Sequence, residues 1–179
     1  MAVGRKKISC PPYAEGTALS ERDISERRVT IFEDHPNLVY SWTAGQAMSR
    51  FLNELKNGKL IATKCEKCGR IIFPPRIYCE LCYKPIDGWV YVKDTGTVQT
   101  FSISYIDPDA RPLEKPVIVA VIAVDGASPN MGIMHILGEV EPEKVYIGMR
   151  VKAVWKPENE REGAITDIKY WKPWRDEND

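Results

Sequence analysis

The stretch KCEKCGRIIFPPRIYCELC, from Lys64 to Cys82, holds four of the chain's five cysteines as two Cys-x-x-Cys pairs. Two residues between the cysteines of a pair let both thiolates of one tight turn face the same ion, and two such turns complete a tetrahedron. Cys65, Cys68, Cys79 and Cys82 are therefore read as metal ligands. The ten residues between Cys68 and Cys79 are fewer than the roughly 15–20 of one common zinc pattern, but RIIFPPRIY can cross out and back as a small hairpin. A redox pair would need only one Cys-x-x-Cys beside a βαβ unit.

Gly69, directly after Cys68, permits the positive φ at which backbone N–H groups turn toward sulfur, as in the knuckle of a zinc ribbon or rubredoxin. The second pair is followed by Tyr83, a less typical knuckle. Zinc is the expected ion, Zn(2+). Four thiolates fill its coordination, so it has no open position for catalysis and its role is to fold a segment with too little core of its own. Iron on the same sulfurs would make an electron carrier instead.

Upstream of the cysteines, Ala44, Ala47, Met48, Phe51, Leu52 and Leu55 form the stripe of an amphipathic helix. Thr43 and Gln46 are spaced as a capping box and Gly58 is a stop, which predicts a helix from about Ala44 to Asn57. A short helix around Glu21 to Arg28 is the one element expected in the extension before it. Downstream, five β-rich runs (97–106, 117–125, 131–140, 150–155 and 164–171) at short spacing predict a small closed barrel. The turn DGASPN separates the second and third runs, and PEKVYIG is a short helical candidate between the third and fourth. Phe101, Ile103 and Tyr105 alternate on one face, while 117–125 is apolar on both, as in an enclosed strand. The boundary between cysteine segment and barrel is placed near Pro85 to Asp94, and so short a connection implies that the two pack together.

The chain has 179 residues, 44% of them hydrophobic, enough for a real core. Lys plus Arg number 25 and Asp plus Glu number 25, so no global field draws in nucleic acid or anionic membrane. Neither an apolar run of signal length after the basic start nor ~18 unbroken apolar residues is found. The protein is expected to be cytoplasmic, where thiols stay reduced and a metal is favoured over disulfides.

Other residues are less specific. His35 and His135 read as structural, since no nucleophile or carboxylate partner can be assigned to either, and Cys10 reads as a bystander thiol. The loop DPDARPLEKP gathers Asp107, Asp109, Arg111, Glu114 and Lys115; it is either a solvated charged loop or a rim on which Arg111 and Lys115 read a polar ligand head. In FPPR two prolines stiffen the approach to Arg76, whose guanidinium matches phosphate or whose stem packs on Tyr78 or Trp89. KYWKPWR (169–175) interleaves aromatic and basic residues as single-strand nucleic-acid platforms do, or packs its tryptophans onto the domain.

The succession NGKLIATKCEKCGRIIFPPRIYCELC, GTVQTFSIS and GMRVKAVW resembles the DUF35 family, whose members join a rubredoxin-like zinc ribbon to an OB-fold domain. The resemblance covers about residues 44–170 and leaves the start unmatched. It implies a scaffold or CoA-holding subunit that accompanies thiolases, hydroxymethylglutaryl-CoA synthase, or steroid-degrading hydratases or aldolases. By this resemblance Cys65, Cys68, Cys79 and Cys82 match the metal ligands, and FPPR matches a segment bordering a CoA groove.

The expected protein is mainly β with an N-terminal helix, divided as an extension (1–42), a helix (43–58), a zinc ribbon (59–90) and a five-stranded OB-fold barrel with a C-terminal tail (91–179). Its expected function is that of a non-catalytic module binding acyl-CoA or CoA beside an acyl-CoA-processing enzyme such as a thiolase. A nucleic-acid binder and a rubredoxin-like electron carrier are the alternatives.

Overall fold

Fixing a helix requires its end groups to find partners, and in this chain the ends are set by local chemistry. The computed structural model describes residues 20–28, 38–86 and 88–175, and the chain divides into two units, residues 1–41 and 42–179. In the first unit a short helix, α1 (Glu21–Ser25), starts from Ser20, whose hydroxyl accepts from the Asp23 N–H while Asp23 accepts from the Ser20 N–H. Cys10 and His35 lie outside the described residues.

In the second unit α2 (Gly45–Lys56) buries Ala47, Phe51 and Leu55, one face of the expected stripe. It ends at Gly58 (φ +68°), where the Gly58 N–H reaches Leu55 O and the Lys59 N–H reaches Glu54 O, satisfying the last carbonyls. The expected capping box does not form. Ala44 is the N-cap, and Thr43, one residue too early, accepts from the Gly45 N–H at 3.2 Å.

The ribbon follows. Its three-stranded sheet runs in the order β2 (Ile71–Ile72), β1 (Leu60–Lys64), β5 (Gly88–Val92), and a separate pair joins β3 (Tyr78–Cys79) to β4 (Lys84–Pro85). The insert between the cysteine pairs is thus not a hairpin: Ile71 and Ile72 pair with Lys64 and Thr63, whereas Tyr78 and Cys79 pair with Pro85 and Lys84. Pro74 and Pro75 have no N–H to give a ladder, so the chain crosses from one sheet to the other.

The barrel is closed in the order β10 (Ile168–Pro173), β8 (Gly132–Leu137), β7 (Pro112–Val124), β6 (Thr95–Ile106), β9 (Arg150–Trp155). Five strands agree with the periodicity, and β7, paired on both sides, points Ile118, Ala120, Ile122 and Val124 inward. The expected loop 107–116 is shorter than its composition indicates. Ile106 already pairs with Pro112, and Asp107 folds the turn by accepting from the Asp109 and Arg111 N–H groups. Between β8 and β9 the helical candidate is one 3₁₀ turn, Pro142–Lys144.

Ribbon and barrel share a single core that runs from Phe51, Leu55 and Leu60 through Ile72 and Phe73 to Val98, Ile122, Val151 and Trp171. Phe51 meets Phe73 edge to face at 5.6 Å, and each such ring contributes about 1.5–3 kcal/mol by its burial. Hydrogen bonds cross the junction as well: Ile71 N–H to Ser128 Oγ, Ser128 N–H to Ile71 O, and Lys93 N–H to Asp125 O. Among the described residues no helix is long and apolar enough to cross a membrane.

Candidate metal centre and ligand cleft

Each knuckle is one turn closed by a backbone bond. The Gly69 N–H reaches Cys65 O at 2.7 Å, and the Tyr83 N–H reaches Cys79 O at 2.8 Å. Both closing residues have positive φ, +71° at Gly69 and +51° at Tyr83. The second knuckle therefore keeps the geometry of the first without its glycine. Arg70, behind the first knuckle, bonds Glu80 inside the second at 3.2 Å and ties the two together.

The turns converge their sulfurs. All four Sγ atoms of Cys65, Cys68, Cys79 and Cys82 lie within 4.8 Å of one another, with Cys68 and Cys79 at 3.7 Å. Metal–sulfur bonds of about 2.3 Å in a tetrahedron put sulfurs about 3.8 Å apart, so the donor set fits a four-coordinate thiophilic ion. Cys65 and Cys79 are buried and Cys68 is exposed. The Cys68 N–H brings the Cys65 thiol down to about 7, while the Cys68 thiol and burial push Cys82 up to about 12. Binding a metal must then expel protons, and retention weakens as the solution is acidified.

The three cations singled out in the sequence are all exposed, Arg76 on the ribbon and Arg111 and Lys115 at the β6–β7 end of the barrel. Arg76 is exposed on the ribbon, its backbone clamped by the buried Thr63, whose hydroxyl accepts from the Arg76 N–H at 3.1 Å and donates to its carbonyl at 3.0 Å. Over the Trp89 ring stands Arg50, with Cζ 4.4 Å from the ring centre. Arg111 faces Asp109 at 3.3 Å in an exposed pair of little energetic weight. Lys115 is exposed on β7, inside the strand.

A different set of residues converges. A cleft of about 450 Å³ at the junction of ribbon and barrel is lined by Lys59, Tyr91, Lys93, Asp125, Arg150 and Trp174 among others. Arg150 is held by Asp125 at 2.9 and 2.6 Å and by Thr97 at 2.9 Å, and it lies 5.5 Å from the Trp174 ring. The Arg150 guanidinium, against the cost of burial, holds the Asp125 carboxyl below its ordinary value. Lys59 stands 5.5 Å from the Tyr91 ring. Arg150 and Trp174 also line a second cleft of about 900 Å³ with Lys144, Tyr146 and Arg175. Cations beside aromatic faces suit an anion that carries a planar ring. The run KYWKPWR contained part of this set: Trp171 is wholly buried in the core, and Trp174 turns to the cleft.

His135 is built into the barrel wall, with Nε2 3.4 Å from Ile165 O and Nδ1 buried without a partner among the described residues.

Comparison with known proteins agrees with this architecture. Residues 52–85 match the family model described as the ChsH2 rubredoxin-like zinc ribbon domain, and residues 89–156 the ChsH2 C-terminal OB-fold domain. A DUF35 domain-containing scaffold protein of Methanocaldococcus jannaschii is 30% identical over 117 residues, which span 64% of this chain and 81% of the relative. A DUF35 family protein of unknown function from Sulfolobus solfataricus superposes with a TM-score of 0.53 at 35% identity, over 62% of this chain and 78% of that one. The Ltp2-ChsH2(DUF35) aldolase superposes with a TM-score of 0.54 at 20% identity, over 78% of this chain and 98% of that one, a likeness of fold. The ribbon with its four-cysteine cluster, the closed five-stranded barrel and these matches lead to one assignment: the chain belongs to the DUF35 family.

Proposed function

We propose that this protein is a non-catalytic, cytoplasmic subunit that binds acyl-CoA or CoA and works on an acyl-CoA-processing enzyme such as a thiolase or a hydroxymethylglutaryl-CoA synthase. The observation that carries the reading is the junction cleft, where Lys59 and Lys93 stand beside Tyr91 and Trp174 and Arg150 is fixed in the wall by Asp125. CoA is a polyanion with an aromatic base, the ligand class to which such a cleft is complementary. The scaffold name of the Methanocaldococcus relative and the pairing named in the Ltp2-ChsH2 aldolase support a partner-bound role. In this reading the four cysteines hold zinc with no open coordination position, so the ion folds the ribbon and takes no part in chemistry.

Calorimetric titration of the full chain with CoA and with an acyl-CoA tests the reading. Lys59→Ala combined with Lys93→Ala should weaken binding about 10- to 100-fold, the loss of one or two charge-assisted contacts of ~1.5–3 kcal/mol. Arg76→Ala, Arg111→Ala and Lys115→Ala should bind as the unaltered chain does. Loss on Arg76→Ala with none on the lysine pair would move the site to FPPR, and absence of binding to the unaltered chain would end the ligand assignment. Elemental analysis should return one zinc per chain and a colourless protein, whereas iron would make the protein an electron carrier.

A further inference from the structure

Tyr83 occupies a costly position for its residue type. At the equivalent place in the first knuckle the chain has Gly69, and both backbones adopt positive φ, which glycine reaches freely and a bulky side chain does not. Strain of this kind persists where the side chain has a use. Inside the molecule Tyr83 has none, because 86% of it is exposed. Its neighbours on the same short hairpin are also uncovered: Ile77 at 47%, Tyr78 at 56% and Leu81 at 63%. Four large apolar or aromatic side chains left uncovered within seven residues are a density of exposed apolar surface of the kind that marks a protein interface.

Charge around the patch restricts what covers it. Arg76 and Lys84 flank the hairpin, both exposed and neither in an ion pair among the described residues. The one carboxylate within the hairpin, Glu80, is already engaged by Arg70. A second copy of this chain placed symmetrically would bring these cations against each other. A partner with carboxylates beside an apolar surface would pair them.

We infer that the second knuckle, through Tyr83, Leu81, Tyr78 and Ile77 rimmed by Arg76 and Lys84, is the docking face for a different protein whose contact surface is apolar and edged with Asp and Glu. The inference rests on the reading of this chain as a partner-bound subunit, and not on its ligand. The second turn of the four-cysteine site thereby serves as a mount, holding Tyr83 outward from a tied loop.

Photo-crosslinking tests it. The full chain with p-benzoylphenylalanine at position 83 is irradiated in the native host, and the joined peptide is mapped by mass spectrometry. The expected product joins position 83 to one protein other than this chain, at an apolar segment flanked by Asp or Glu, with its yield cut at least tenfold by Arg76→Glu with Lys84→Glu. Crosslinks to a second copy, to many unrelated proteins or to none would overturn the docking face. A single mapped partner outside acyl-CoA chemistry would leave the face standing and end the acyl-CoA reading. Tyr83→Gly should keep its zinc and melt no lower than the unaltered chain while losing the partner at least tenfold. A melt several degrees lower with the partner retained would make Tyr83 a structural residue and overturn the inference.

Discussion

Asp167 is fully buried, a costly place for a carboxylate. Burial alone would raise its pKa, but the N–H groups of Glu162, Gly163 and Ala164 all point at its oxygens, at 3.0, 2.7 and 3.1 Å, and hold the carboxyl below its ordinary value of 3.8. A group whose folded pKa is depressed adds stability above its unfolded pKa and loses it as the pH falls through the folded one. Asp125 and Glu139 are shifted in the same direction, so stability should hold from neutral pH to about 4 and fall below it. Asp167→Asn keeps the shape but turns an N–H donor toward donors. It should cost about 1.5–3 kcal/mol at pH 7, as the loss of hydrogen bonds to a charged group does, and flatten the acid limb. Urea unfolding at pH 7 and pH 3 measures both, and an equal loss of stability between those pH values in variant and unaltered chain would contradict this account. Nothing in the sequence distinguishes Asp167 from its neighbours, because its partners are backbone groups that a loop presents only once it has folded.

At the scale of elements, the four-cysteine site and the strands divide the ribbon between them. The knuckles have almost no ladder of their own: β3 and β4 are two residues each, and β2 pairs over two positions. By contrast β1 pairs with β5 over five positions and lies under α2 within the shared core. Stripping the metal should therefore free the amides of Gly69 and Tyr83 to exchange with solvent within seconds to minutes, while those of β1, β5 and the barrel stay protected. Cys65→Ser should do the same. Hydrogen exchange read by mass spectrometry decides this, and loss of protection in β7 and β8 would show that the ion holds the whole core. Helix α2 was legible from its stripe and from Gly58 because both signals are local. Segment Gly88–Val92 was not, because its partner β1 lies more than twenty residues back and no short-range pattern records the pairing. Pro112 made the β6–β7 turn read longer than it is, since proline is tolerated as the first residue of a strand.

Over the whole molecule, equal numbers of basic and acidic residues leave no net field to draw in polyanions. Mixed single-stranded oligonucleotides should bind more weakly than micromolar at 0.15 M salt. Tight binding with a log–log salt slope of about −0.7 per phosphate would instead identify a nucleic-acid protein. The metal site could be read from the sequence because its ligands are near neighbours in pairs. The cleft could not, since Lys59, Lys93, Arg150 and Trp174 come from four separate parts of the chain and no spacing unites them. The connection between ribbon and barrel, Lys93 to Thr95, has a further consequence. Lys93 and Thr95 are bonded to Asp125, and the Asp94 carbonyl accepts from the Ala153 N–H. A link pinned at every residue is no hinge. On the acyl-CoA reading proposed above, cleft walls held at a set spacing would select as a gauge does, by admitting what fits, with little entropy left to lose on contact and residence time set by the ligand's own grip.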